Sequence, residues 1–506
     1  MVTRLRSNSA PEANPLLADG LSPKFHEAIL EQPPKERIEL NFFQEAIDLL
    51  KLALPIMATL MLEFLPGAFS VALVGHIDSP MRKEYVDAAM LAVMFLNITG
   101  VSIGSGLSTA MDTLCSQTVG AGKLYNLGMY FQSGLIVLGC MYIPCLLLNF
   151  NSGFFLVALG QDPTVAQLAG SFSRVSVFSL PGIFLYELLK KVLQAQKIVS
   201  PMAYIAILTN FIYFGMGYYF CYHTELGFLG AAYARTISQL LLPVFGFLYL
   251  MWNPVYKDWW PTDHTFSKQW QAAWEHVPQF FSLGAPGMLM IVMEWWAYEV
   301  CALIAGWMSN PVLSISVQSV LMGLASQAYS IFLGLNIATT VRLGNALGAN
   351  EPHRAQLISK VAIGVALMTG ILVSLFFLIT HDALPQLLTG DPATIETTQH
   401  ALAIFAVYEL IDCMNCTAQS ILKGMGKQSI GVWVNAGCYY VIGIPAGILL
   451  AFHFSLGVQG LWIGLGGGLL FGFGVYLRYI CTVNWKQMAV EAIGRTSKSS
   501  KSMIET

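Results

Sequence analysis

The chain has 506 residues, 55% of them hydrophobic and only 11% charged, with a net charge of -3 and a mean hydropathy of +0.60. Soluble domains carry about 25% charged residues, so the composition excludes a soluble protein and points to a polytopic membrane protein. The net charge by itself says nothing about nucleic acid, and no basic cluster suggests it, so no nucleic-acid partner is expected.

Residues 1 to about 40 are polar and rich in Pro, Ser, Glu and Asn, and read as a disordered cytoplasmic tail covering 1–45. They contain no apolar stretch of the signal-peptide kind, so no cleavage is expected. Glu12-Ala-Asn-Pro-Leu16-Leu17 fits an acidic dileucine sorting signal, a short pattern that chance also produces.

A membrane-spanning helix needs about 20 largely apolar residues. Twelve such segments follow, at 47–74, 87–114, 125–149, 168–193, 201–221, 227–252, 279–307, 312–339, 356–380, 398–422, 430–452 and 457–482. The longest connection, 253–278, carries Asp258, Trp259, Trp260, Asp263, Lys268 and Glu275 and separates two blocks of six. The expected organisation is an N-lobe at 46–252, a cytoplasmic interlobe loop at 253–277, a C-lobe at 278–483 and a cytoplasmic C-tail at 484–506. With the N-terminus inside, one set of loops holds Lys123, Lys190, Lys191, Lys197, Lys257, Lys268, Arg342, Arg354, Lys360, Lys423, Lys427 and Lys486. The opposite set holds only Arg82 and Lys83. This asymmetry places both termini in the cytoplasm.

The two blocks repeat. Leu52-Ala-Leu-Pro55 aligns with Leu283-Gly-Ala-Pro286, and eight residues after each proline stands an acid, Glu63 or Glu294. Gly120-Ala-Gly-Lys123 aligns with Gly348-Ala-Asn-Glu351, Gln161-Asp-Pro163 with Gly390-Asp-Pro392, and Leu226-Gly-Phe-Leu-Gly230 with Leu456-Gly-Val-Gln-Gly460. The offset stays between 228 and 231, and a constant offset over five matches indicates an internal repeat. Six spans per half is an even number, so both halves share one orientation. The fold expected is all-α, with twelve transmembrane helices in two six-helix lobes related by a pseudo-two-fold along the membrane normal. The cleft between them suits alternating access.

Charge inside such spans is costly and marks function by default. Met293-Glu-Trp-Trp-Ala-Tyr-Glu299 packs two acids, two indoles and a phenol into seven residues. Glu294 and Tyr298 share one helix face, Trp295 and Glu299 a neighbouring one, and Glu409 and Asp412 lie three apart in the tenth span. Acid beside aromatic face suits a cation. A carboxyl group in an apolar interior holds a proton more readily than in water, and a second acid nearby strengthens this. Such a site takes a proton or a cation, never both. Each acid has a structural alternative as a hydrogen-bonded link between helices. Glu63 is the first-lobe counterpart of Glu294. Asn97 and Gln318 are mid-span polar residues that coordinate substrate or bridge helices. Arg174 and Arg235 read as snorkelling near helix ends, and Trp307, Trp433 and Trp462 as packing or interfacial aromatics. Pro55, Pro181, Pro286 and Pro445 lie inside spans and permit bends, static or gating. The nine cysteines fall mostly within spans and do not form a secreted disulfide framework. Cys413-x-x-Cys416 lies inside a helix and reads as packing, with metal or redox chemistry as the alternative.

These motifs resemble the multidrug and toxic compound extrusion family, in its animal-type branch. Met293–Val300, Leu96-Asn-Ile-Thr-Gly-Val-Ser-Ile-Gly104, Asp112-Thr-Leu-Cys-Ser-Gln-Thr118 and Val341-Arg-Leu-Gly-Asn-Ala-Leu-Gly-Ala349 carry the resemblance, which extends over about 45–485. It implies export of organic cations in exchange for protons. No cofactor and no metal are expected, and a monomer in the lipid bilayer is the simplest unit, since each pair of lobes is a complete pathway. The resemblance implies that Glu294 and Glu299 are the essential second-lobe acids, Trp295 and Tyr298 their aromatic neighbours, and Asn97 a cavity residue. Asp412 stands where the family has a tenth-span glutamate. Met322-Gly323 replaces a Tyr-Glu pair of the vertebrate type, and Glu409 is a conjectured substitute for the missing acid. The alternatives are a lipid or polyprenyl-lipid flippase, a channel, or an intramembrane enzyme. The flippase is disfavoured because it wants a basic cavity while these spans are acidic. The enzyme is disfavoured because there is no His-Glu-x-x-His or Gly-x-Ser-x-Gly. The plasma membrane is the expected location, with an acidic vesicle as the alternative.

Overall fold

A computed structural model describes residues 41–260 and 266–504. Most of the expected N-terminal tail, with its dileucine pattern, therefore lies outside the described residues. Within them the chain is all helix, with twelve helices long and apolar enough to cross a membrane. They are α1 (Phe42–Gly75), α2 (Arg82–Gly120), α3 (Asn126–Phe150), α4 (Pro163–Ala195), α5 (Ser200–Tyr222), α6 (Phe228–Trp252), α7 (Ser267–Ala305), α8 (Pro311–Gly348), α9 (Pro352–Ile379), α10 (Pro392–Met425), α11 (Gln428–His453) and α12 (Gly457–Thr482). The protein is a multi-pass membrane protein with two six-helix lobes.

The repeated motifs are helix boundaries. Asp162 and Asp391 cap α4 and α10, accepting from the backbone N–H of Thr164 (2.8 Å) and Thr394 (3.0 Å), each with proline following at the first helical position. Gly227 and Gly457 turn the chain into α6 and α12 at φ of +48° and +56°, where a side chain is strained. Three residues on, Gly230 and Gly460 bring the same helices against the preceding span, and a Cβ on either would lie 2.6 Å from backbone. The repeat is thus visible in sequence because both copies need the same turns.

Several boundaries depart from expectation, α8 for one running on to Gly348 rather than 339; three departures bear on how the ends are built. α1 begins at Phe42 rather than 47, because Asn41 caps it through Phe43 and Gln44 (3.0 and 3.4 Å). α7 begins about three turns before 279, so much of the supposed interlobe loop is helix. The supposed C-tail forms a further helix, α13 (Trp485–Ile504), which buries Trp485, Met488, Ala489 and Ala492.

The lobes meet crosswise: α1 packs on α8, α7 packs on α2, and α2 packs on α8. The first two pairs exchange under the repeat. Close backbone approach builds this seam. A Cβ on Gly106 of α2 would lie 2.4 Å from Met288 Cα of α7, and one on Gly334 of α8 would lie 2.8 Å from Met57 N of α1. Ion pairs hold the seam at the end where α1 begins. Glu45 binds Arg342 of α8 and, at 2.7 Å, Arg354 of α9. α13 crosses the same end: Arg495 donates to Gln117 Oε1 (2.9 Å) and to the Met425 carbonyl (3.1 Å), while Lys427 pairs with Glu491 (2.8 Å).

Candidate functional site

α7 and α10 bring the second-lobe acids together. Glu294 and Asp412 are 4% and 3% exposed, and Cys416, one turn beyond Asp412, lies between them. Its Sγ is 3.5 Å from Asp412 Oδ1 and 3.9 Å from Glu294 Oε1. Among the described residues no Lys, Arg or His nitrogen comes within 4 Å of either carboxylate. Tyr298, one turn from Glu294, shares a 2.6 Å hydroxyl–hydroxyl hydrogen bond with Tyr408 of α10. Both phenols pack on Trp462 of α12, Tyr408 edge-on at 4.8 Å and Tyr298 at 6.3 Å. This makes an acid pair walled by aromatic rings, with no cation in direct contact; Lys423 of α10, which lines the neighbouring cavity, acts on Glu294 from farther off.

The other expected residues divide. Trp295, Asn97 and Glu63 line a cavity of about 230 Å³ between the lobes, with Ile291 and Tyr329 on the second-lobe side. Asn97 starts a π-helical turn, Asn97–Val101, that widens α2 there; such turns gather at functional sites. Gln318 accepts from Trp462 Nε1 (3.0 Å) and so links α8 to α12. Glu299 is half-buried and Glu409 is 1% exposed; neither lines the cavity. Gly323 stands at the place of the missing acid, with open space where a side chain would project, and Met322 beside it packs against the second-lobe core.

Sequence reading missed the charge network of the first lobe. Lys190 and Lys191, counted above as loop residues, lie inside α4 and are 1% and 8% exposed. Lys190 Nζ bridges Glu63 (2.7 Å) and Glu187 (2.6 Å), and Lys191 pairs with Asp112 of α2 at 2.8 Å. Arg235 does not snorkel: it is 7% exposed and lines the cavity. The spacing of Glu187 and Lys190, three apart on one face, was the available signal. The argument that these spans are acidic therefore holds for the second lobe and fails for the first.

Twelve spanning helices in two repeated lobes, closed at one end around a central cavity lined by charges and rings, define a membrane transporter rather than an enzyme. The MatE family profile matches this chain twice, over residues 55–219 and 286–449. Multidrug and toxin extrusion protein 2 of Mus musculus is 34% identical over 464 residues, 92% of this chain and 79% of the relative. Multidrug and toxin extrusion protein 1 of Homo sapiens is 34% identical over 467 residues, covering 92% and 80%. The crystal structure of the eukaryotic MATE transporter AtDTX14 superposes with a TM-score of 0.84 at 29% identity, covering 90% of this chain and 99% of that one. The chain belongs to the MatE family of multidrug and toxin extrusion transporters.

Proposed function

We propose that the protein exports organic cations in exchange for protons by alternating access. The observation that carries this reading is the Glu294–Cys416–Asp412 arrangement: two buried acids from α7 and α10 share one thiol and have no basic partner within 4 Å. A positive charge is the natural guest of such a pair, and a proton and an organic cation compete for it. The Tyr298, Tyr408 and Trp462 rings exclude water and offer π faces. Trp295 and Tyr329 face the cavity through which a cation reaches the pair. Protonation releases the cation, and deprotonation readies the site for the next one. The seam of α1, α2, α7 and α8 closes one end of this route, and rocking the lobes about it opens that end while closing the other.

In this reading the end with α13 and the start of α1 faces the cytoplasm, the chain works as a monomer in the plasma membrane, and the proton is the sole coupling ion. Glu299, Asn97, Glu63, Gln318 and Glu409 assist as further cation or proton contacts. The test is uptake of tetraethylammonium into proteoliposomes driven by an outward proton gradient, for wild type and Glu294→Gln. Wild-type uptake that collapses with the gradient, and that Glu294→Gln lacks while still reconstituting, supports the proposal. Uptake that persists on a sodium gradient alone refutes the proton coupling.

A further inference from the structure

A second pocket lies at the end of the seam where α1 begins, and the transport route leaves it unused. Its volume is about 300 Å³, and it shares no lining residue with the central cavity. Gly120 of α2 and Lys197, in the turn after α4, line it from the first lobe. Arg342 of α8, Ala349 just past the end of that helix, and Glu351 and Arg354 at the start of α9 line it from the second. Glu45 holds both arginines and Asp48 lies 3.5 Å from Arg342, but neither acid lines the pocket. Glu351, which does, is bound to Arg354 at 3.1 Å. Arg342 is 7% exposed, yet its Nε meets no acceptor. Among the described residues no carboxylate oxygen comes within 4 Å of Lys197 Nζ. Beyond the cost of burial, that ammonium feels Arg342 and Arg354 more strongly than Asp48 or Glu45. α9 adds a helix N-terminus without a side-chain cap. Positive charge thus outweighs negative inside the pocket. Lys197 is held there at φ of +64°, a strained backbone of the kind that gathers at functional sites.

We infer that this pocket binds a phosphate-bearing anion, which accepts hydrogen bonds from Lys197 on one lobe and from Arg342 and Arg354 on the other and so ties the lobes together at this end. A guanidinium has five N–H donors, so one bound carboxylate leaves others for a second acceptor, and its fork suits phosphate oxygens. The first backbone N–H groups of α9 suit them as well. The same field repels an organic cation, so this is not a second cation site. A phosphorylated lipid headgroup and a free polyphosphate offer the same chemistry here. The inference concerns binding alone and does not depend on cation export or proton coupling.

The experiment is equilibrium binding of radiolabelled pyrophosphate to the purified full chain in phosphatidylcholine nanodiscs at neutral pH, with the ionic strength fixed by potassium chloride. Wild type binds saturably. Lys197→Gln removes a cation on the first lobe, and Ala349→Glu brings in a carboxylate from the second. Each weakens binding about ten-fold or more, the scale of a charge-assisted hydrogen bond, while Lys197→Arg and Ala349→Gln retain it. Gly348 packs on the Gln117 main chain outside the pocket, so Gly348→Leu parts the lobes without entering the site. It weakens binding about five-fold or more, because only the closed arrangement builds the pocket. Two competitors assign the source. Phosphatidylinositol bisphosphate in the same nanodiscs displaces the label if lipid headgroups reach the pocket; inositol trisphosphate alone displaces it if only free phosphates do. Undetectable binding, displacement by neither competitor, or an affinity that survives both Lys197→Gln and Ala349→Glu overturns the inference. An affinity unchanged in Gly348→Leu overturns the tie between the lobes.

Discussion

Gly120 and Gly348 hold equivalent places in the two repeats, and each presses its backbone against the other's helix. A Cβ on Gly120 would stand 2.0 Å from the Asn345 carbonyl oxygen, and one on Gly348 would stand 2.0 Å from that of Gln117. The contact is thus its own image under the repeat, as an interface between two copies of one fold requires. The obstacle is main chain, so no change of rotamer relieves it.

Gly120→Leu and Gly348→Leu therefore hold the lobes apart at the end where α1 begins. Overpacking of this kind costs about 1–3 kcal/mol, which lowers the population of the closed arrangement about five- to 150-fold. The measurement is labelling of a Ser105→Cys reporter, which lines the cavity, by a membrane-impermeant maleimide added from that end. Labelling speeds up in the leucine variants, whereas unchanged labelling means the seam is not the gate.

Cys416 separates Glu294 from Asp412, so its size matters more than its thiol chemistry. Cys416→Ser keeps a small donor between the acids and retains most exchange activity. Cys416→Leu forces the acids apart and lowers tetraethylammonium exchange by about ten-fold, equivalent to about 1.4 kcal/mol. Cys416 and Cys413 are both buried free thiols, and among the described residues no group of three metal ligands surrounds them. Exchange rates measured with and without a chelator separate packing from metal binding; inhibition by the chelator would favour the metal.

Some of this architecture was legible in the sequence and some was not, for physical reasons. Twelve spans are legible because each must be apolar for about 30 Å of membrane. The repeat is legible because both halves reuse the Asp-Pro caps at Asp162 and Asp391 and the left-handed glycines at Gly227 and Gly457. Glu294 and Asp412 are legible because an acid in such a span stands out. Lys190 and Lys191 misled because they lie near the end of α4, where counting loop charges assigns them to water. Their partners, Glu63 and Asp112, are far off in sequence, and only the tertiary fold supplies them. α13 was taken for a tail because its mean composition is polar, although Trp485, Met488, Ala489 and Ala492 recur at helical spacing and form its buried stripe.

α13 ties both lobes together, and Arg495 is its principal contact. The side chain reaches Gln117 of α2, the Met425 carbonyl at the end of α10, and Glu491 at 3.3 Å within its own helix. Arg495→Ala removes these hydrogen bonds and leaves the Gln117 oxygen unpaired, a loss of about 1–3 kcal/mol. Thermal unfolding of the purified protein should show a lower Tm than wild type. Arg495→Lys recovers only part of it, since an ammonium lacks the fork that spans two acceptors. A Tm equal to wild type in Arg495→Ala would mean that α13 is not clamped by this residue.

The last relationship joins backbone and charge at the end of α4. Lys197 sits at φ +64°, and its counterpart after α10 is Gly426 at +73°, so the second repeat places glycine where the first strains a lysine. Burial, followed by the guanidinium groups of Arg342 and Arg354, also pushes the Lys197 ammonium below the usual lysine range. The folded protein thus binds this proton less tightly than the unfolded chain does. This disfavours folding at neutral pH, and the penalty fades as pH rises through the folded value toward the unfolded one. Two substitutions separate the causes. Lys197→Gln removes the charge alone, so its Tm exceeds wild type at pH 7 and the gap narrows by pH 10. Lys197→Gly relieves the backbone as well, by up to about 1 kcal/mol net, and its remaining advantage over Lys197→Gln does not change with pH. A gap between wild type and Lys197→Gln that widens with pH would reverse the sign argued here.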